Sequence, residues 1–153
     1  MKLMKRIVFA CLILGLIENA ALGDQKGDAA FVDKVRTAFM NHSCESLVGL
    51  SLWTGVSEED KKQAIKKYES EVALHMTKIE FKDAEQSRWR NWKQGEVEYT
   101  YNLPVTKQVV VHVEKGSKIK LRFGEVPIKD VTMPVGEKDG KWYLLKSVKV
   151  ISK

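Results

Sequence analysis

The sequence has few cysteines and lacks the common motifs of metal and catalytic sites. Its only two cysteines are Cys11 and Cys44, and its three histidines form neither an HxH nor an HExxH pattern that would bring two of them to one zinc ion. A GxSxG turn for a serine nucleophile and a glycine-rich phosphate loop are also missing. These absences predict no bound metal and no cofactor, and no motif assigns a catalytic residue.

Long apolar runs are equally scarce, and the only one lies at the amino end. It extends over residues 7–17, follows Lys2, Lys5 and Arg6, and is followed by the small-residue site Ala21-Leu22-Gly23. This order is typical of a signal peptide cleaved before Asp24. The run is shorter than the roughly 20 residues of a membrane span. We therefore expect a signal peptide over residues 1–23 and a secreted or periplasmic mature chain without a transmembrane segment.

Cys11 raises one alternative, the lipid attachment of a lipoprotein. We disfavour it because the bulky Phe9 stands where a small residue is expected and the apolar run before Cys11 is short. Cleavage before Asp24 leaves Cys44 as the single thiol, so no internal disulfide can form. Since the leader carries three cations and one acid, cleavage also lowers the formal net charge from +6 to +4. This mixed charge does not favour a nucleic-acid partner.

The first half of the mature chain shows the periodicity of amphipathic helices. Asp28 is expected to cap a first helix, Ser43 to begin a short second one, and Ser57 to open a third. The predicted buried positions of the first and third helices recur every three or four residues: Phe31, Val35, Ala38, Phe39, Ala64, Ile65, Tyr68 and Val72.

From about Leu74 onward the apolar residues alternate, which indicates strands. The predicted strands carry Ile79 and Phe81; Val97, Tyr99, Tyr101 and Leu103; Val109, Val111 and Val113; Ile119, Leu121 and Phe123; Val131, Met133 and Val135; and Trp142, Leu144, Val148 and Val150. Asp139-Gly140 is a typical hairpin turn. We expect one α+β domain over residues 24–153, with N-terminal helices packed on one face of a strongly curved, cone-like antiparallel meander.

The order of helices before strands, together with the ending Val131–Leu144 that contains Asp139-Gly140-Lys141-Trp142, resembles the nuclear-transport-factor-2-like superfamily, or cystatin-like cone, in its secreted bacterial form. The resemblance would cover nearly the whole mature chain. It implies a cone-shaped fold and allows a homodimer, but it implies no chemistry, because this superfold serves enzymes, binding proteins and assembly modules alike.

The most unusual segment is Ser87–Lys93, in which Arg88, Arg90 and Lys93 alternate with Trp89 and Trp92. Such a segment can stack on rings and contact anionic groups. The competing interpretation is a strand or hairpin whose tryptophans pack inward. Tyr99 and Tyr101 complete the set of candidate ligand-binding residues, since both point with the apolar positions of their strand.

These features lead to three hypotheses. We favour an exported, non-catalytic domain that binds a small apolar ligand or a protein partner. The second is a small isomerase or dehydratase in the same cone, for which the resemblance implies an acid, such as Asp83 or Asp130, beside a tyrosine. The third is a binder of anionic envelope polymers through residues 88–93. His42, at a predicted helix end, is interpreted as structural. Neither His75 nor His112 has a partner spaced for a metal site, and His112 is expected to face away from Val109, Val111 and Val113.

Overall fold

The computed structural model describes residues 27–151, so the predicted signal peptide, its cleavage site and Cys11 lie outside the described residues. Three helices precede the strands: α1 over residues 27–40, α2 over Cys44–Leu50 and α3 over Glu58–Val72. Nine strands follow: β1 Met76–Asp83, β2 Trp92–Gln94, β3 Val97–Tyr101, β4 Lys107–Val113, β5 Lys118–Leu121, β6 Gly124–Pro127, β7 Asp130–Lys138, β8 Lys141–Leu144 and β9 Ser147–Lys149.

The starts of the helices can be compared with the three capping residues predicted from the sequence. The Ser43 hydroxyl accepts a hydrogen bond from the amide of Ser46 at 3.3 Å, and the Ser57 hydroxyl accepts one from the amide of Asp60 at 3.1 Å. Both predicted caps are therefore confirmed. Asp28 is not a cap: it lies within α1 and accepts a hydrogen bond from Trp142 Nε1 at 2.8 Å. The carboxylate of Asp28 thus serves as the acceptor for Trp142, a residue distant in sequence, and not as the cap of the helix.

The strands form three separate ladders, and the predicted meander is wrong for the main one. A four-stranded sheet has the order β1-β4-β7-β8, a three-stranded sheet has the order β2-β3-β9, and β5 pairs with β6 alone. All of these pairings are antiparallel, and only consecutive pairs such as β7–β8 are hairpins. Turn signals in the sequence specify such hairpins, but they carry no information on which distant strands pair.

Of two predictions made for the strand-rich half, the turn at Asp139 is confirmed and the strand position of Phe123 is wrong. Asp139 and Gly140 have φ values of 52° and 74°, which confirms the predicted hairpin turn between β7 and β8. Phe123, predicted as a strand position, instead lies in the β5–β6 turn and is 97 % exposed. Its neighbour Gly124, the first residue of β6, has a φ of 128°, a backbone conformation that glycine adopts readily and that lets the chain reverse between β5 and β6.

The main hydrophobic core contains side chains from the helices and from the four-stranded sheet, including Phe39, Leu47, Val109 and Val135. Strand β4 is buried on both faces, because Gln108 and Val110 are buried as well as the predicted valines. The structure thus confirms an α+β fold with three helices and mostly antiparallel sheets, and these sheets are not closed.

Candidate ligand pocket

A pocket of about 340 Å³ lies between α3, the segment that carries Trp89 and Trp92, strand β7 and the chain that follows β8. These four parts of the chain, together with Tyr101 at the end of β3, contribute residues of three kinds: charged or polar groups, aromatic rings and apolar side chains. Its lining consists of Asp60, Gln63, Ala64, Lys67, Tyr68, Glu71, Trp89, Trp92, Tyr101, Thr132, Met133, Pro134, Leu145, Lys146 and Ser147.

The segment that carries Lys146 is held in place by Asn102. The Asn102 amide donates to the Lys146 carbonyl at 3.0 Å, and the Asn102 side-chain oxygen accepts from the Lys146 amide at 3.1 Å. Asn102 also donates through Nδ2 to the carbonyl of Leu52 at 2.7 Å. Because both backbone groups of Lys146 are bonded to one residue, its side chain leaves the chain in a fixed direction toward the pocket.

A hydrogen-bond chain at one end of the pocket has a single consistent direction. The Ser51 hydroxyl donates to the carbonyl of Leu47 at 2.8 Å, so its oxygen is left to accept the hydroxyl proton of Tyr68, at 2.7 Å. The amine of Lys146 then donates to the hydroxyl oxygen of Tyr68. Tyr68 therefore uses its own proton inward, and burial raises its pKa well above the ordinary range, which keeps it neutral.

Lys146 is a half-buried amine in a mainly apolar setting. Its Nζ lies 4.0 Å from the ring centroid of Tyr68 and 5.7 Å from that of Trp53. Burial and, to a smaller extent, the positive charge of Lys67 lower the pKa of Lys146 to about 7, while Glu71 opposes both effects. Near neutral pH the amine is therefore present in both its charged and its uncharged form.

Glu71 is the buried acid of the pocket, since it is only 2 % exposed. Its Oε1 lies 3.4 Å from Lys67 Nζ, whereas its buried Oε2 has no hydrogen-bond partner within residues 27–151. Burial raises the pKa of Glu71, and the charges of Lys67 and Lys146 oppose that rise. The carboxyl thus has an unused oxygen and an increased tendency to carry a proton.

An aromatic wall, formed by Trp89, Trp92 and Tyr101, faces this polar end. The ring centroid of Tyr101 lies 5.6 Å from that of Trp89 and 5.3 Å from that of Trp92. Trp89 is fixed by a hydrogen bond from its Nε1 to the side-chain oxygen of the buried Gln108, at 2.8 Å. Trp92 is 36 % exposed, so the wall offers ring surface to a ligand.

Comparison with known proteins gives no family for this chain: no family model, no curated protein and no solved structure matches it. The site is therefore interpreted from its own geometry. Within residues 27–151 no helix has the length and apolarity needed to cross a membrane. Over the same residues, no group of three His, Cys, Asp or Glu side chains is arranged to hold a metal ion.

The structure separates the predicted binding segment into two groups. Trp89, Trp92 and Tyr101 line the pocket, and Tyr99 stacks on Trp92 at a centroid distance of 5.6 Å without lining it. Arg88, Arg90 and Lys93 are exposed and lie outside the pocket lining. The aromatic residues of the segment thus point to the pocket, whereas its cations are presented to solvent.

The acids proposed for an isomerase do not lie at this site. Asp83 binds Lys107 at 2.6 Å, and Asp130 accepts from Thr132 at 3.3 Å. The pocket itself is lined by two acids, Asp60 and Glu71, and by two tyrosines, Tyr68 and Tyr101. No hydrogen bond joins Glu71 to Tyr68 in the described part of the chain. Asp83 and Asp130 therefore do not provide an acid beside a tyrosine of this pocket.

The remaining candidates for chemistry are held by other contacts. His42 Nδ1 lies 2.5 Å from the carbonyl of Val72. His112 bonds to Glu80 at 2.7 Å and alternates with Val109, Val111 and Val113, although the buried Val110 shares its face of β4. This bond and one from Lys78 lower the pKa of Glu80 to about 2. Burial, with nearby Glu69 and Glu45, raises the pKa of the Cys44 thiol, so the cysteine is not activated as a nucleophile.

Sequence reasoning did not identify Tyr68, Glu71 and Lys146 as residues of a pocket. Tyr68 was identified only as part of an apolar helix face, and Glu71, three positions later on the same helix, gave a weak signal for burial. Lys146 stands between strands in an ordinary charged ending. Nothing local distinguishes a lysine that tertiary contacts bury from one that stays in solvent.

Proposed function

We propose that this chain is a non-catalytic binding domain that holds a small ligand with a planar apolar body and a polar group in the pocket of Tyr68, Glu71 and Lys146. The observation that carries the proposal is the pairing of an aromatic wall with a buried polar cluster across one cavity. Its volume of about 340 Å³ lies near the lower end of small-molecule sites, which span roughly 300–1,000 Å³.

The two sides of the pocket define the ligand class. Trp92 and Tyr101 offer faces on which a flat ring gains contact area. Lys146 offers N–H donors beside the carboxyl of Glu71, so the polar end suits a carbonyl, hydroxyl or carboxylate. Since Tyr68 already donates to Ser51, it takes no part as a donor to the ligand.

A fragment screen tests this function. Planar aromatic carbonyl, hydroxyl and carboxylate compounds would be titrated against the protein, with tryptophan fluorescence and calorimetry as readouts. We expect Trp92→Ala to weaken the binding of a fragment hit by about 10-fold, because a ring face is lost. Phe123→Ala is the matched control, since that ring is exposed far from the pocket lining. Equal affinities for wild type and Trp92→Ala would contradict the proposal.

The cations of the 88–93 segment support a second candidate function, the binding of an anionic polymer. Arg88, Arg90 and Lys93 are exposed and form no ion pair within residues 27–151. Such cations bind polyanions in a salt-dependent way. Replacing all three by glutamine should abolish retention on a heparin column at low salt. Unchanged retention would remove this candidate and leave the pocket proposal intact.

The proposal also includes the export, the fold shape and the family resemblance that were predicted from the sequence. We infer an exported domain with cone-like curvature and the nuclear-transport-factor-2-like resemblance. The resemblance is supported by a pocket that lies between a long helix and antiparallel strands and is lined by aromatic side chains. Sequencing the amino end of the secreted protein tests the export step, for which the expected first residue is Asp24.

A further inference from the structure

We propose that Lys146 forms a reversible imine with an aromatic aldehyde or ketone held in the pocket. This inference rests on the proposed function, because the aromatic wall must first hold the ring of the carbonyl compound. It adds that the ligand is retained through a carbon–nitrogen bond and names aromatic carbonyl compounds as the ligand class.

The surroundings of the amine favour its reactive form. Lys146 lies over the rings of Tyr68 and Trp53, and burial together with the charge of Lys67 lowers its pKa to about 7. A desolvated lysine beside another cation is a recognised way of activating an amine as a nucleophile. Exposed lysines keep a pKa near 10.4 and are almost fully protonated at neutral pH.

The charged groups around this amine come from one helix. Asp60, Lys67 and Glu71 line the pocket from α3, and Lys61 on the same helix lies 5.3 Å from the Trp53 ring that Lys146 also faces. The aromatic wall, strand β7 and the residues beside Lys146 contribute to the lining neutral residues only. Among these charged groups, Glu71 is buried, and burial raises the pKa of its carboxyl.

The hydrogen-bond chain leaves the nitrogen available. Because Tyr68 donates its proton to Ser51, its oxygen only accepts, and one N–H of Lys146 satisfies it. In the uncharged amine, a second N–H and the lone pair remain for the ligand. Tyr68 thus orients the amine of Lys146, and the lone pair of the nitrogen stays free because Tyr68 does not donate a hydrogen bond to it.

The reaction balances with residues already in the pocket. The nitrogen lone pair forms a bond to the carbonyl carbon, the carbonyl electrons move to oxygen, and one proton passes from nitrogen to that oxygen to give a carbinolamine. The carboxyl of Glu71 then protonates the hydroxyl, which leaves as water as the nitrogen lone pair forms the C=N bond. Glu71 regains its proton from the nitrogen, so one amine and one carbonyl yield one imine and one water.

Reductive trapping tests the proposal. The full chain would be incubated at pH 7 with 2-naphthaldehyde and sodium cyanoborohydride, and the product analysed by intact mass and peptide mapping. We expect one adduct per chain on Lys146, formed at least about 100-fold faster than on exposed lysines, given the lower fraction of protonated amine. Labelling spread evenly over the lysines would overturn the proposal.

Variants and a matched ligand sharpen the test. Lys146→Arg should abolish the adduct, Glu71→Gln should slow its formation by about 10-fold through loss of the acid, and Lys149→Arg on β9 should leave it unchanged. The wild-type peptide map decides the question even where a variant unfolds. 2-Naphthalenemethanol, which has no carbonyl, reports binding alone. If it binds in the pocket and Lys146 is not labelled, the imine is wrong and the proposed function stands; if neither compound binds, both are overturned.

A separate observation carries a second inference, at the β5–β6 hairpin. Its tip and the adjoining strands expose apolar side chains: Phe123 in the turn is 97 % exposed, Leu121 53 % and Val126 46 %. Lys118, Lys120 and Arg122 flank this tip and are exposed, with Glu125 the one acid of residues 118–127 and 4.0 Å from Lys118. The hairpin pairs with neither of the other two sheets.

We infer that this hairpin docks on an anionic lipid surface. An apolar tip beside cations suits the boundary between acyl chains and charged headgroups, where the ring is buried and the cations remain with the phosphates. The occupant is assigned by charge complementarity, because three exposed cations lie on the same hairpin as Phe123, the most exposed large apolar side chain of the described residues.

Vesicle sedimentation tests this docking independently of the pocket. We expect binding to phosphatidylcholine vesicles that contain a quarter of phosphatidylglycerol, and at least about 10-fold weaker binding to pure phosphatidylcholine. Phe123→Ser, or joint replacement of Lys118, Lys120 and Arg122 by glutamine, should reduce binding to a similar extent. Met40→Ser on α1, another exposed apolar residue, is the control and should change nothing. Absence of binding to either vesicle, or binding unaffected by Phe123→Ser, would overturn the inference.

Discussion

At the scale of single residues, Lys146 gives the protein a pH-dependent stability. Its pKa is about 7 in the folded chain, against an ordinary value of 10.5. The folded state binds fewer protons than the unfolded state between these values, so the free energy of unfolding falls as the pH decreases from 10.5 to 7. Below pH 7 both states carry the proton, and the cost of burying the charge is fully present.

Lys146→Met should therefore raise stability where the lysine is charged. We expect the free energy of unfolding at pH 6 to increase by about 1–3 kcal/mol and its rise between pH 7 and 10 to become smaller. Urea unfolding at several pH values measures both effects. The control is Lys149→Met, an exposed lysine on β9, which should follow the wild-type curve. A variant with the same pH dependence as wild type would contradict the burial argument.

Glu71 is expected to act in the opposite sense. Burial raises its pKa above the unfolded value, so its stabilising contribution is complete at low pH and is lost as the pH rises through the raised pKa. Glu71→Gln cannot ionise, and we expect it to gain about 1 kcal/mol relative to wild type between pH 4 and pH 8. Thermal unfolding of this variant beside Glu69→Gln, an exposed neighbour on α3, provides the comparison. Equal pH responses of the two variants would show that Glu71 is not desolvated.

The two halves of the pocket differ in how far the sequence predicts them. Trp89, Trp92 and Tyr101 were found because interleaved aromatic residues and strand alternation are local patterns. Tyr68, Glu71 and Lys146 were missed because the burial of a polar group depends on contacts such as those from Ser51 and Asn102, which come from distant positions in the chain. A rule based on neighbours in sequence cannot contain that information.

At the scale of elements, two glycines provide opposite tests. A Cβ added to Gly136 on β7 would lie 2.9 Å from Leu145 Cδ1 and 2.9 Å from the backbone oxygen of Pro104, whereas one added to Gly49 in α2 would meet nothing within 4 Å. We expect Gly136→Ala to lower the free energy of unfolding by about 1–3 kcal/mol. Gly49→Ala should raise it by about 0.5–1 kcal/mol, because alanine favours a helix. Chemical denaturation checks both, and a neutral Gly136→Ala would contradict the close packing of β7.

The elements were predicted better than their arrangement. The caps at Ser43 and Ser57 and the turn at Asp139 depend on residues within four positions, and they are confirmed. The order β1-β4-β7-β8 depends on which long strand buries the most apolar surface. Strand β4 lies inside the sheet, and side chains on both of its faces are buried. The alternation of apolar residues in the sequence predicts burial of one face only.

At the scale of the whole molecule, the structure divides into a well-buried centre and a weakly attached hairpin. Strand β4 has a partner on each side, and Val109 and Val111 have no solvent exposure. The β5–β6 hairpin has only its own pairing, and all four residues of β6 are exposed. Local opening requires few contacts to be lost in the hairpin, whereas opening β4 requires the core to unfold.

Hydrogen exchange should reveal this division. We expect the amides of Val109–Val111 to exchange only by global unfolding, and those of residues 119–126 to exchange at least about 100-fold faster. Exchange measured by NMR or mass spectrometry at pH 7 gives both rates, and Val131 and Met133 on β7 should resemble β4 because they share the core. Equal protection of β4 and the hairpin would mean that the hairpin has a partner beyond the contacts described, and the docking inferred for its apolar tip would then have to be assigned to that partner.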